Sequence, residues 1–278
     1  MNRPVNTKAA GLSPPSPAER QSIARDQFQI LGDVLNQRTF RHIRALKIGA
    51  GWRCWEAGAG AGGVPSWLAE QVGPAGYVLA SDIDVSVLAE TPDRSFEVRR
   101  HDLTVDAPPA CGEFDLVHAR LVLEHLSDSA FALTAMASSL RRGGWLLLES
   151  SDPRLQPLAC PDESGPKHAL ANKLRNAMWD LMAQRTHLSF GRTLPRLLRE
   201  RGLADVNAEV TFDIGGSDAR HLQRTLITHA RPALIASGLA SADEIDPHLA
   251  DLESADLDIA VFPIVSAWGR KPSRRDTP

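Results

Sequence analysis

The sequence predicts an α/β fold in which a mostly parallel sheet carries helices on both faces. Three observations predict it. Short apolar runs alternate with helix-period segments between Arg53 and Glu149. The first of those runs ends in a glycine-rich turn that opens a helix. Two more strand-like runs return near 205–212 and 257–267, bringing the expected sheet to seven strands.

Residues 1–19 hold Pro4, Pro14, Pro15 and Pro17 without apolar periodicity and read as a disordered tail. Residues 20–278 read as one domain. In its first part, 20–49, Ile23, Phe28, Leu31, Leu35 and Ile43 recur at helical spacing, so a helical lid leads into the sheet. Arg53–Glu56 is the first strand, and after the glycine turn comes the helix Val64–Val72. Gly76–Ser81, Ser95–Arg99 and Phe114–His118 are the next three strands. A helical stretch is expected over Arg120–His125 and a helix over Ala130–Leu140. Gly143 and Gly144 then lead into the fifth strand, Trp145–Glu149. Residues 153–191 break the alternation with a proline-rich loop and one amphipathic helix, Lys167–Arg185, and form a cap insertion. Thr193–Arg201 is a helix stopped by Gly202. The strand Asp205–Phe212, the helices His221–Ser237 and Ala242–Glu253, and the strand Leu257–Ala267 complete the sheet region 192–270. The basic end Arg270–Arg275 is expected to be disordered.

Composition narrows the function. The 278 residues carry 31 Lys and Arg against 34 Asp and Glu, a net charge of −3, so no excess of positive charge is present to hold a polyanion. No apolar run approaches the roughly 20 residues that span a bilayer, and the first twenty residues lack a signal-peptide core. Cys54, Cys111 and Cys160 form no CxxC pair, and no His–carboxylate cluster has metal spacing, so no metal is expected. The expectation is a cytoplasmic enzyme, monomer or homodimer, with a small-molecule partner and with neither nucleic acid nor membrane.

The turn Glu56-Ala57-Gly58-Ala59-Gly60-Ala61-Gly62-Gly63 carries the most chemistry. Glycines admit a close ligand and positive φ without a Cβ clash, and the amides of the helix that follows add favourable dipoles. Read as Gly58-x-Gly60-x-x-Gly63, the turn also fits a nicotinamide dinucleotide. Glu56 separates the two readings. A carboxylate two residues before the first glycine repels a pyrophosphate and suits a cationic ligand without phosphate.

Here the sequence resembles the class I S-adenosylmethionine-dependent methyltransferases, in the small-molecule branch with a ubiquinone/menaquinone-methyltransferase-like core. The resemblance continues in order through Val78–Asp82, Arg99–Leu103, Phe114–Leu126 and Arg141–Glu149, covering about residues 50–152. It implies a Rossmann-like seven-stranded sheet and S-adenosyl-L-methionine as cofactor. It also implies that Glu56, Gly58, Gly60 and Gly62 hold the cofactor, that Asp82 accepts its ribose hydroxyls, and that Asp102, with Leu103 and Ala119, borders its adenine.

Ligands of open α/β sheets lie at the carboxyl ends of the strands. His118 is therefore the first candidate for a base or substrate contact, and Asp152 the second. Arg120, Phe28 and Trp179 are the candidate substrate residues. His125 reads as packing. The sequence has no Asn-Pro-Pro-Tyr-like element after the fourth strand, where His118-Ala119-Arg120 stands, so base and glutamine amino-methylation are disfavoured. The expected function is O-, N- or C-methylation of a small molecule in bacterial specialised metabolism. The alternatives are an NAD(P)-dependent oxidoreductase, and a methyltransferase-fold protein that binds the cofactor but catalyses a cyclisation.

Overall fold

The computed structural model describes residues 17–91, 94–254 and 256–273. Strand β1 (Arg53–Ala57) lies inside the sheet, as its buried run from Cys54 to Ala57 requires of a strand covered on both faces. It pairs in parallel with β2 (Tyr77–Asp82) on one side and β4 (Phe114–Arg120) on the other. β3 (Glu97–Arg100) extends the sheet beyond β2, and β5 (Leu140–Ser151) runs parallel to β4. β7 (Ile264–Arg270) lies antiparallel between β5 and β6 (Ala204–Thr211). The order β3-β2-β1-β4-β5-β7-β6 is that of a seven-stranded, mostly parallel α/β sheet. Strand order reverses its progression across the sheet between β1 and β4, the switch point at which such sheets bind ligands.

One face of the sheet packs Cys54, Leu116 and Leu147 against α1 (Pro17–Ala45) and α2 (Gly63–Val72), through Phe40, Ile43 and Leu68. The short α3 (Ser86–Ala89) adds Leu88 to the same layer. The other face packs Trp55, Val117 and Leu148 against α4 (Ser129–Ser139) and α6 (Leu194–Glu200). A third apolar cluster lies beyond the strand ends. It joins α1 to α5 (Pro166–Met182), α7 (Ser217–Ala236) and α8 (Ala242–Asp251). The cap is thus wider than residues 153–191, because α7 and α8 face it. No helix among the described residues is long and apolar enough to cross a membrane.

Three expectations change. The helix expected over Arg120–His125 is absent. β4 continues to Arg120, Leu121 takes a left-handed φ of 56°, and only a 3-10 turn follows at Leu123–His125. The Leu121 amide donates to the Glu149 carbonyl at 2.8 Å, which extends the sheet ladder at the point where a helix would have to begin. The last strand begins at Ile264 instead of Leu257. Pro263 has no N–H for the ladder, and the apolar residues before it, Leu257, Ile259, Val261 and Phe262, are buried in the cap cluster instead. At the termini, Pro17–Glu19 already belong to α1, and Arg270 ends β7 with a 2.7 Å ion pair to Asp205. The remainder of the expected tails, 1–16 and 274–278, lies outside the described residues.

Candidate active site

The glycine turn is built as its sequence demands. Gly58, Gly60 and Gly62 have φ of 75°, 54° and 83°, all left-handed. Space matters as well as φ at Gly58, where a Cβ would lie 2.2 Å from Val122 Cγ2. The amides of Gly58 and Ala59 donate to the Ser81 carbonyl at 2.8 and 3.0 Å, tying the end of β1 to the end of β2. The Gly60 amide donates to Asp82 Oδ2 at 3.0 Å, and Asp82 Oδ1 accepts from the Asp84 amide at 3.2 Å. Asp84 itself caps α3 through the Ser86 amide. Asp82 is therefore the acid that braces the turn.

Asp102 is partly exposed. Its Oδ1 accepts from the Thr104 amide at 2.9 Å and from Thr104 Oγ1 at 2.6 Å, and these bonds hold its carboxyl below the usual range. Leu103 and Ala119 are 7% and 2% exposed, with side chains in the core between the sheet and α4. Strand alternation turns Ala119 to the face opposite His118.

His118 is fully buried and does not line the cavity beside the glycine turn, against the expectation of a base or substrate contact. Parallel pairing sets it directly beside Glu56, and Glu149 points to the same face two residues beyond its β5 partner Leu147. The fully buried ring has Nδ1 2.6 Å from Glu56 Oε2 and Nε2 3.3 Å from Glu149 Oε2. Burial alone would lower its pKa, but the charge of Glu56 and the hydrogen bonds its ring donates to both carboxylates raise it to about 9. Burial alone would raise Glu149, but His118 and Arg120, with the Ser266 hydroxyl donating at 2.6 Å, bring it down to about 2. Glu56 is held above the usual carboxylate range by burial, against the pull of His118. His118 is an imidazolium clamped between two acids, a structural cation rather than a base.

Asp152 is also corrected. It is fully buried and accepts from Arg192 Nε, Nη2 and the Arg192 amide at 2.8, 2.7 and 2.9 Å. That paired carboxylate fastens the end of β5 to the segment before α6. It does not line the cavity beside the glycine turn.

This cavity, of about 450 Å³, is where the remaining candidates meet. Glu56, Ala59 and Gly60 form its floor. Phe28 covers the turn from α1, with its ring close enough that a Cβ on Gly60 would lie 3.2 Å away. Trp179, Met182, Leu222 and Phe262 make an apolar wall in the cap. Arg120 lines the cavity but is engaged with α1. Its Nη1 donates to Thr39 Oγ1 at 2.9 Å and its Nη2 to Asn36 Oδ1 at 3.0 Å, while Thr39 donates to Glu149. The lid is thereby tied to the buried charges under the turn.

Sequence reasoning missed Thr39, Asn36, Glu149 and the cap residues of α7, which lack local motifs. It also passed over His125, which lines the cavity from an exposed position with Nδ1 3.1 Å from Thr186 Oγ1. The ionisable side chains of the cavity, among the described residues, are Glu56, Arg120 and His125.

A family profile described as "Methyltransferase domain" matches residues 23–208, well over half the chain. The chain belongs to this methyltransferase domain family. The class I enzyme type and the S-adenosylmethionine cofactor expected from the sequence agree with that membership. The fold is similar to phosphoethanolamine N-methyltransferase 2 of Haemonchus contortus, solved with phosphomonomethylethanolamine and S-adenosylhomocysteine. The TM-score is 0.57 at 16% identity, covering 91% of this chain and 58% of that one. It is also similar to an S-adenosylmethionine-dependent methyltransferase from Archaeoglobus fulgidus, with TM-score 0.52 at 16% identity, covering 88% and 99%. Among curated proteins the chain is 30% identical over 124 residues to the secondary metabolism regulator laeA of Coprinopsis cinerea. That match covers 44% of this chain and 28% of the relative, so the chain spans about a quarter of it.

Proposed function

We propose that this protein transfers a methyl group from S-adenosylmethionine to a small, largely apolar acceptor. One observation carries the reading: the glycine turn with Glu56 and the apolar cap wall of Trp179, Leu222 and Phe262 enclose the same cavity. The residues fit the cofactor. Glu56 is a carboxylate on the cavity floor suited to an ammonium, the left-handed glycines admit close approach, and Asp82 and Asp102 stand at the ends of neighbouring strands for ribose and adenine.

When bound, the sulfonium supplies both the methyl group and its leaving group, so the protein chiefly aligns and excludes water. Phe28 and the cap wall supply apolar cover on two sides of the cavity. The His118 imidazolium keeps Glu56 oriented from below, and Arg120 fastens the lid through Thr39 and Asn36. His125, which lines the cavity from an exposed position and has no ion pair among the described residues, takes up the proton of an acceptor that arrives protonated. The reading extends to a quinone-methyltransferase-like core and a setting in bacterial specialised metabolism, supported by the segment His118–Leu126.

Calorimetric titration with S-adenosylhomocysteine tests it. Binding is expected, weakened at least about tenfold in Asp82→Ala by loss of the ribose acceptor and of the brace on Gly60. Absence of binding, or NADH quenching protein fluorescence where S-adenosylhomocysteine does not, overturns it.

A further inference from the structure

Beside the end of β5 a buried carboxylate holds two neighbouring serines. Glu124, in the 3-10 turn Leu123–His125, is 4% exposed. Its Oε2 accepts from Ser150 Oγ at 3.0 Å, and its Oε1 accepts from the Ser151 amide at 3.1 Å and from Ser151 Oγ at 3.3 Å. All three donors are neutral. The Glu124 carbonyl accepts from the His187 amide at 3.1 Å, which secures the turn to the chain after α5.

Ser151 is where this arrangement meets the cavity. Side chains alternate along β5, so Ser151 stands on the same face as Leu147 and Glu149, the face that also carries Glu56 and Arg120. It lines the cavity with Glu56, Arg120 and His125, and His125 follows Glu124 directly in the chain. Around them the cavity is apolar, through Leu121, Trp179, Met182 and Phe262.

A carboxylate accepts hydrogen bonds and cannot donate them. The Ser151 hydroxyl therefore gives its hydrogen to Glu124, and a bond to a charged acceptor outcompetes one to a neutral ligand oxygen. What remains for the cavity is the lone pairs of Ser151 Oγ, which take no other hydrogen bond among the described residues. The neighbouring charges are engaged elsewhere, Glu56 with His118 and Arg120 with α1. An ether oxygen placed against Ser151 would meet lone pairs, and an anion would face the Glu124 carboxylate behind them.

We infer that Ser151 is a specificity-determining residue that receives an O–H or N–H of the substrate. The molecule methylated is then apolar and carries a neutral hydroxyl or N–H group in addition to the group that reacts, whose proton goes to His125. This rests on the proposed acceptor cavity and specifies what it selects. Glu124 touches no ligand and acts through Ser151 as a positioning residue.

Naphthalene probes of similar shape test the inference near neutral pH, with and without S-adenosylhomocysteine. They are 2-naphthol, which donates, 2-methoxynaphthalene, which only accepts, and the anion 2-naphthoate, each followed by fluorescence titration. 2-Naphthol is expected to bind about three- to tenfold tighter than 2-methoxynaphthalene, the gap of one neutral hydrogen bond, with 2-naphthoate the weakest. Ser151→Ala is expected to abolish the gap and His125→Ala to leave it. Glu124→Ala, which frees the hydroxyl to rotate, is expected to narrow it, and Glu124→Gln, which keeps an oxygen toward Ser151, to retain it. No binding of any probe, equal binding of the two neutral probes, or tightest binding of 2-naphthoate overturns the inference. So does a gap that survives Ser151→Ala or disappears in His125→Ala. If Glu124→Ala does not fold, Ser151→Ala and His125→Ala still decide. Failure of S-adenosylhomocysteine to bind counts against the methyl-donor reading alone, since the gap is also read without it.

Discussion

Replacing His118 with Gln removes the cation between Glu56 and Glu149 while keeping much of the side-chain volume. The ring is fully buried with Nδ1 2.6 Å from Glu56, so solvent cannot take its place. A folded pKa of about 9 against the ordinary 6.5 corresponds to about 3 kcal/mol of stability from the charged form. Stranding two buried carboxylates in the variant costs about 3–5 kcal/mol. Because the pKa is raised on folding, this contribution is fully present below the ordinary 6.5 and is lost as pH rises through about 9. Glu149 behaves in the opposite sense: lowered to about 2, it stabilises above the ordinary 4.5 and loses that effect as pH falls through about 2. Glu56, raised by burial, works against stability as it ionises. The other titratable groups near His118 are Arg120 on the same strand and His42 from α1; the pKa of His42 is lowered, chiefly by burial. Urea denaturation of both proteins from about pH 6 to 10 reads the result. His118→Gln is expected to be less stable by several kcal/mol at neutral pH, with the gap closing as the wild type loses its imidazolium. A neutral-pH loss below about 1 kcal/mol, or a gap constant across the range, would refute the clamped-cation account.

Two further outcomes follow from the site. Gly58→Ala forces a Cβ into left-handed backbone and against Val122 Cγ2, so chemical denaturation should show a loss of about 2 kcal/mol or more, together with loss of S-adenosylhomocysteine binding by calorimetry. Asp152→Asn weakens the fastening of β5 to Arg192 by about 1–2 kcal/mol while leaving the pH profile of methyl transfer unchanged in shape; a profile that loses its acidic limb would restore Asp152 as the base.

Much of the cofactor side was legible because its determinants are local. A strand, three glycines forced to positive φ and an acid at the next strand end lie within a short stretch of chain, and Gly58, Gly60 and Asp82 meet as that order implies. The acceptor side was less legible. His118 was expected at the end of a strand beside the switch point, but β4 runs on to Arg120, and its partner Glu149, 31 residues away, seals it. Asp152 sits at a strand end like Asp82, but Arg192, 40 residues on, occupies both its oxygens. His125 was set aside as packing because a helix was expected there, and Leu121's left-handed turn brings it to the rim instead.

The sequence by itself determined the class of the fold, the order of its strands and helices, and the turn that suits a cationic cofactor. Periodicity, glycine sterics and the charge of Glu56 act over a few residues and need no tertiary partner. The tertiary structure alone decided which polar groups are spent on one another and which are left for a ligand. His118 and Asp152 are spent. Arg120 is committed to a lid that begins 84 residues earlier in contact, at Asn36. The reason is that a buried charge is defined by every group that reaches it, and those groups converge from α1, β5, α7 and the cap only once the chain has folded.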